Sequence, residues 1–255
     1  MRLIEAVPDL GAELPPAERE LAHAALVVRT IALTPGPWMP EQDLRGHEGD
    51  LGVLLLEGLL LRDVEIMHTT CAELVGAGDL LRPWDDVNTG APVPSEVVWH
   101  VISPATLALL DHRAVAIAGR WPELMSALVG RAVSRAQTLA LALAISSITG
   151  LKLRLLVLLW HLADRFGKVG RDGVSVPVPL THRSLARLVG ASRPSVSTAM
   201  KELENEGRVA KLLDPGRGFL LLGEPPELLT ALRHPASATG APSARRGTLG
   251  RREGS

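Results

Sequence analysis

Residues 180–206, LTHRSLARLVGASRPSVSTAMKELENE, commit this chain to two short helices meeting at a glycine. Thr181 is placed to cap a helix running through Leu185, Leu188 and Val189. Gly190 supplies the turn, and Ser192 caps a second helix that begins at Arg193. Val196, Ala199, Met200 and Leu203 fall on one helical face and predict the buried side. The opposite face offers Arg193, Ser195, Ser197, Thr198 and Lys201, short polar or cationic groups of the kind a recognition helix brings to bases and phosphates. The plainer alternative is an αα-hairpin inside a helical core.

The residues after this pair narrow the choice. Glu206-Gly207 ends the second helix, and Arg208–Leu213 reads as a strand. Asp214-Pro215-Gly216-Arg217-Gly218 is dense turn chemistry, and Phe219–Leu222 reads as a second strand. A helix-turn-helix followed at once by a hairpin is a winged helix, with Arg217 at the wing tip, where a cation reaches a phosphate.

Net charge looks uninformative until it is divided. The chain carries 27 Lys/Arg against 28 Asp/Glu. Residues 1–149 hold 10 basic and 19 acidic side chains, a balance of −9; residues 150–255 hold 17 and 9, a balance of +8. A basic rear half favours a polyanion through counterion release, and an acidic front half does not. Arg233, Arg245, Arg246, Arg251 and Arg252 contribute to that balance from beyond the wing.

Ahead of the helix pair, Trp121, Leu124, Met125, Leu128, Ala132, Ala136, Leu139 and Leu143 follow helical spacing from Pro122 onward. Thr149-Gly150 marks a hinge into a further apolar helix, Leu151–Phe166. Between Arg45 and Asp86 short apolar runs alternate with glycine and acidic punctuation. Asp50–Leu56, Leu59–Val64 and Cys71–Val75 are strand candidates, with turns at Glu57-Gly58 and Gly76–Asp79. Val97–Val101 is another strand, and Ser103-Pro104-Ala105-Thr106 opens a short helix through Leu110. Strands at such intervals suggest a barrel or double-sheet roll.

Taken together, T-H-R-S-L-A-R-L-V-G-A-S-R-P-S-V-S-T, the helix through Leu203 and the short hairpin resemble the DNA-binding domain of the Crp/Fnr transcription regulators. The resemblance is good over 121–223 and followable back to about residue 25. It implies an α+β chain: an N-terminal β jelly-roll, cyclic-nucleotide-binding-like sensor over 1–120, a long dimerisation helix over 121–149 and a C-terminal winged helix-turn-helix over 150–226; beyond it, a composition rich in Ala, Ser, Gly and Arg predicts a disordered basic tail over 227–255. Within it GDLGVLLLEGLLLR would be two strands joined by a turn. By the family pattern Arg193 reads a guanine and Thr198 contacts a base, while Thr181, Ser192, Ser195 and Lys201 meet phosphates. The implied partners are double-stranded DNA at a palindromic operator, a second copy of the chain, and RNA polymerase. The small-molecule effector stays unnamed.

Two departures carry consequences. Many members place Glu directly after the arginine; Pro194 stands there, so the operator sequence should differ. Members that bind cyclic nucleotide follow Gly-Asp with Gly-Glu-Leu and later Arg-Ser-Ala or Arg-Thr-Ala. Here Gly78-Asp79 runs into Leu80-Leu81-Arg82-Pro83-Trp84-Asp85-Asp86, no Arg-Ser-Ala follows, and two carboxylates would repel a phosphate. Regulation by cyclic AMP is therefore not expected; Arg82 reads as a surface arginine and Asp85-Asp86 as a solvated turn.

Other chemistries are weakly supported. One cysteine, Cys71, excludes an internal disulfide and a four-thiolate iron–sulfur cluster, and in a strand-like run it reads as a small core residue. His47, His68, His100 and His112 leave haem open but read as ordinary polar residues. A cupin-like metalloenzyme, or a ligand-binding jelly roll with an accessory winged helix, is the competing class. His47-Glu48 and His68 do not supply the His-x-His pairing such a metal site uses. No catalytic set and no cofactor is expected. Glu5, Pro8 and Asp9 interrupt any leader pattern, and the 16 uncharged residues of Ala136–Leu151 fall short of a membrane span, so a cytoplasmic protein is expected.

Overall fold

The computed structural model describes residues 1–86, 93–212 and 218–226. Two helices, α1 (Leu3–Ala6) and α2 (Pro16–Ala25), precede strands β1 (Arg29–Leu33) and β2 (Gly36–Trp38) and a single turn of helix, α3 (Pro40–Asp43). Then come β3 (Gly52–Ile66), β4 (Thr69–Gly76), β5 (Leu80–Leu81) and β6 (Glu96–Leu110). All pairings in this sheet are antiparallel, and β3 and β6, 15 residues each, form its spine.

That spine corrects two expectations. Glu57-Gly58 does not separate two strands; β3 runs through it, with register shifts against β6 between Leu55 and Leu60. Gly58 has φ +92°, and a Cβ there would lie 2.4 Å from Pro104 O and 2.5 Å from Ala105 Cα. A glycine with positive φ serves a bulge as readily as a turn, and here it lets β6 cross closely. Likewise Ser103–Leu110 is not helical but the second half of β6, paired to β3 on one side and to β1 on the other. An apolar run buried on both faces has no strand alternation, which is why it reads equally as helix.

On either side of the bulge the spine changes partners. One half of β3 pairs β5 and the other pairs β4; β6 pairs β1 over 105–109 and β2 over 99–101. The result is a rolled sheet around Leu55, Leu60, Val75, Leu107 and the edge-to-face pair Trp38 and Trp99. A second core lies where α1 and α2 cover Leu54, Leu80 and Leu110 beside α4 (His112–Ala118) and the start of α5 (Pro122–Ser146). Asp111 caps α4 by accepting from Ala114 N at 2.8 Å. Cys71, expected in the core, is exposed on β4, because the first half of that strand overhangs the roll and only Leu74–Gly76 are buried.

Helix α5 is 25 residues long, and by length and composition alone could cross a membrane. Its polar residues argue otherwise. Arg135 pairs with Glu73 through two contacts of 2.8 Å, and Arg131 pairs with Asp9. Leu124 and Leu128 are buried, whereas Val129, Val133, Ala136, Ala140 and Leu143 form an exposed stripe at alternating spacings of four and three.

After Gly150, α6 (Leu151–Phe166) matches its expected limits. Strands β7 (Lys168–Val169) and β8 (Val174–Val176) lead to α7 (His182–Val189) and α8 (Arg193–Asn205). Strands β9 (Val209–Lys211) and β10 (Phe219–Leu221) close a small sheet in the order β7-β8-β10-β9. Leu155, Leu158, Leu159 and Leu162 of α6 join the buried sides of α7 and α8 in the core of this domain. The expected wing tip with Arg217, and the tail from 227, lie outside the described residues.

Candidate nucleic-acid interface

Both predicted caps form. Thr181 Oγ1 accepts from Ser184 N at 3.1 Å, and Ser192 Oγ accepts from Ser195 N at 3.3 Å. Between them Gly190 sits in the left-handed region, φ +63°, and its N–H donates to Ala186 O. A side chain is strained there, so the turn that sets the two helices at an angle depends on glycine. Val196, Ala199, Met200 and Leu203 are all buried, as their spacing predicts.

The remaining face of α8 is open. Arg193, Pro194, Ser195, Thr198 and Lys201 are exposed, as are Thr181 and Ser192 ahead of the two helices. Thr198 Oγ1 donates to Pro194 O at 3.3 Å. Pro194 occupies the first turn, where its missing N–H costs nothing.

Ser197 behaves differently from its neighbours. It is only partly exposed; its hydroxyl donates to Arg193 O at 3.1 Å and lies 2.9 Å from His182 Nδ1. Ser197 thereby joins the start of α7 to the first turn of α8. Nothing in a single-helix projection signals a partner fifteen residues away.

The domain also holds contacts with the rolled sheet that the sequence did not suggest. Arg187 of α7 pairs with Asp63 of β3, and Arg165 of α6 donates to Asp79 Oδ2 at 2.6 Å. Within the roll, Asp86 is not a solvated turn residue: it accepts from Arg62 at 2.5 and 3.1 Å and from Trp99 Nε1 at 3.0 Å. The sequence signal, an acid after Arg-Pro, could not name an arginine 24 residues earlier. Arg82 pairs with Asp85 at 2.6 Å and donates to Asp50 O at 2.9 Å.

Of the histidines of the roll, His47 and His112 flank one carboxylate, His47 Nδ1 lying 2.7 Å from Asp50 Oδ2 and His112 Nδ1 3.9 Å from Asp50 Oδ1; His100 Nδ1 lies 3.7 Å from Asp63 Oδ2, and His68 is exposed between β3 and β4. Among the described residues no group of three or more His, Cys, Asp or Glu gathers where a metal could be held.

Comparison with known proteins agrees with this geometry. Residues 153–228 match the model of the Crp-like helix-turn-helix domain. Among solved structures, the chain is similar to a cyclic nucleotide-binding domain containing protein from Listeria monocytogenes (TM-score 0.61, 16% identity, 86% of this chain and 97% of that one). It is also similar to FixK2 from Bradyrhizobium japonicum (TM-score 0.57, 13% identity, 80% and 97%). A CRP-family transcriptional regulator from Thermus thermophilus aligns with TM-score 0.54 at 21% identity, over 76% and 92%. At such identities the likeness is one of fold. No relative is found among curated proteins.

Proposed function

We propose, for a chain that carries a Crp-like helix-turn-helix domain on the Crp/Fnr fold, the function of a cytoplasmic, DNA-binding transcription regulator. The observation that carries this reading is the first turn of α8. Its cap is made, its apolar face is buried, and Arg193 and Ser195 are exposed there, with Thr198 and Lys201 exposed further along the same face. Arg193 reads a guanine and Thr198 a neighbouring base. Thr181, Ser192, Ser195 and Lys201 hold phosphates, with Arg217 reaching one from the wing. Ser197, turned toward His182, sets the helix rather than reading DNA.

The functional unit is a homodimer formed along α5, on a palindromic operator whose half-sites lie one helical turn, about 34 Å, apart. The stripe from Val129 to Leu143 supports this, because apolar side chains at spacings of four and three pack against a twin helix. Val133→Glu should yield a monomer by sedimentation and weaken operator binding. A dimer that survives the substitution would move the interface elsewhere.

Cyclic AMP is not the regulator. Arg82 is bound to Asp85 and to backbone carbonyls, and Asp79, at the turn entering this region, is taken by Arg165. Isothermal titration with cyclic AMP should show no heat of binding. The central experiment is genome-wide binding followed by a shift assay on a recovered palindrome. A purified protein that ignores every duplex, at any salt concentration, would overturn the reading. Contact with RNA polymerase then depends on where the operator lies.

A further inference from the structure

We infer that two carboxylates of the rolled sheet, Asp63 and Asp79, clamp the reading head through Arg187 and Arg165 and so set the half-site spacing that the dimer accepts. This rests on the DNA-binding reading above.

The seam is built from two strands and a turn on one side and two helices on the other. On the sheet lie Asp63 of β3, buried at 4% exposure, the end of β4, and Asp79 in the turn that follows it. On the head lie Arg187 of α7 together with Arg165 and Phe166 of α6. Asp79 Oδ2 accepts from its own turn, Gly76 N at 2.9 Å, and from Arg165 at 2.6 Å. The Arg165 guanidinium lies 5.0 Å from the centre of the Phe166 ring. That ring packs so near Gly76 that a Cβ there would sit 2.5 Å from Phe166 Cε1. Leu74, Leu158, Leu162 and Leu188 surround the remaining gap, which is about 30 Å³, room for little more than one water.

The energetics favour a positional role. Burial pushes the Asp63 carboxyl above its ordinary value, although Arg187, His100 and Arg183 all pull it down. Its Oδ1 finds no hydrogen-bond partner among the described residues. A pair that burial penalises this way adds little to stability, yet it is intolerant of displacement, because moving either partner leaves a buried charge alone. Sitting on different helices, the two pairs fix both the tilt and the rotation of the head.

Masking can be set aside on geometry. Arg193, Thr198 and Lys201 are exposed while the clamp is closed, so the seam and the DNA face do not compete. In a dimer, heads held rigidly present two helices at one separation, and binding is strongest where the operator matches it. Loose heads dilute the competent arrangement and weaken binding in proportion.

The test uses full-length protein and an operator selected from random duplexes. Arg165→Gln with Arg187→Gln removes the clamp at two arginines about a quarter exposed; because Asp63 is then left buried without its partner, circular dichroism and a thermal melt first establish that the double variant is folded. Gly76→Val, which displaces Phe166 without changing charge, is the second probe. Inserting two base pairs between half-sites rotates them by about 70° and should weaken wild-type binding steeply. Both variants should bind the native spacing about tenfold more weakly, and the insertion should cost them much less. Arg165→Lys with Arg187→Lys should restore part of the spacing preference. Variants with wild-type affinity and wild-type spacing preference would overturn the clamp, and so would tighter binding, which would make the seam a restraint. Wild-type protein that binds no duplex would instead remove the DNA-binding reading and this inference with it.

Discussion

At the scale of single residues, the reading helix separates groups that look alike in sequence. Arg193 and Ser197 share a helix and lie one turn apart, but one is exposed and the other is hydrogen-bonded to His182. Arg193→Ala should weaken binding at the preferred site by about 1–3 kcal/mol and relax base choice there. Ser197→Ala should weaken all sites alike and leave base choice intact. Selection from random duplexes with the two variants distinguishes these outcomes, and identical selected motifs would refute the assignment to Arg193. Ser192→Ala removes the cap of α8 and should destabilise the domain by about 1 kcal/mol, seen in thermal melts. Both caps were legible because capping is local, the hydroxyl and the N–H it accepts being three residues apart. Ser197, Asp63 and Asp79 were not legible, since their partners are 15, 124 and 86 residues distant.

Among elements, helices were read more surely than strands. The limits of α6 and α8 follow from a glycine hinge, a serine cap and a clean 3.6-residue period. Strands β3 and β6 lacked a comparable signal. Their apolar runs are buried on both faces, and Gly58 and Pro104, which look like punctuation, face each other across a bulge. Gly58→Val should therefore disrupt the roll as a whole rather than shorten a loop, because its side chain would meet the backbone of β6. Helix α6 carries its own pH signature. Burial lowers the His161 imidazole below its ordinary value, ahead of the opposing pull of Asp164. Below about pH 6.5 the unfolded chain then takes up a proton that the folded helix refuses, so stability falls as the solution is acidified. His161→Leu should flatten the melting temperature across that window; an unchanged slope would exclude His161 as its source.

For the molecule entire, the division of charge is the feature most open to measurement. The balance of −9 over residues 1–149 and +8 over 150–255 predicts binding that weakens steeply with salt, driven by the rear half alone. Lys201→Gln should reduce the slope of log K against log salt by about one per protomer without altering the selected sequence. A slope unaffected by Lys201 would take it off the phosphate backbone. The contrast between the two halves of the chain was visible in that charge split before any element was placed. What charge could not reveal is that the halves meet through opposite signs, Asp63 and Asp79 against Arg187 and Arg165.

The unbroken course of β3 gives this architecture a mechanical character. One end of the strand, at Val53 and Leu54, is stitched to β5; the other carries the carboxylate that grips α7. Two strands joined by a loop would absorb a push at Leu80–Leu81 locally, but a continuous strand, bulged at Gly58 yet paired with β6 on both sides of it, passes it along to the far end. Any disturbance of the roll near β5 should thus be felt some ten residues away as a change in where the head points.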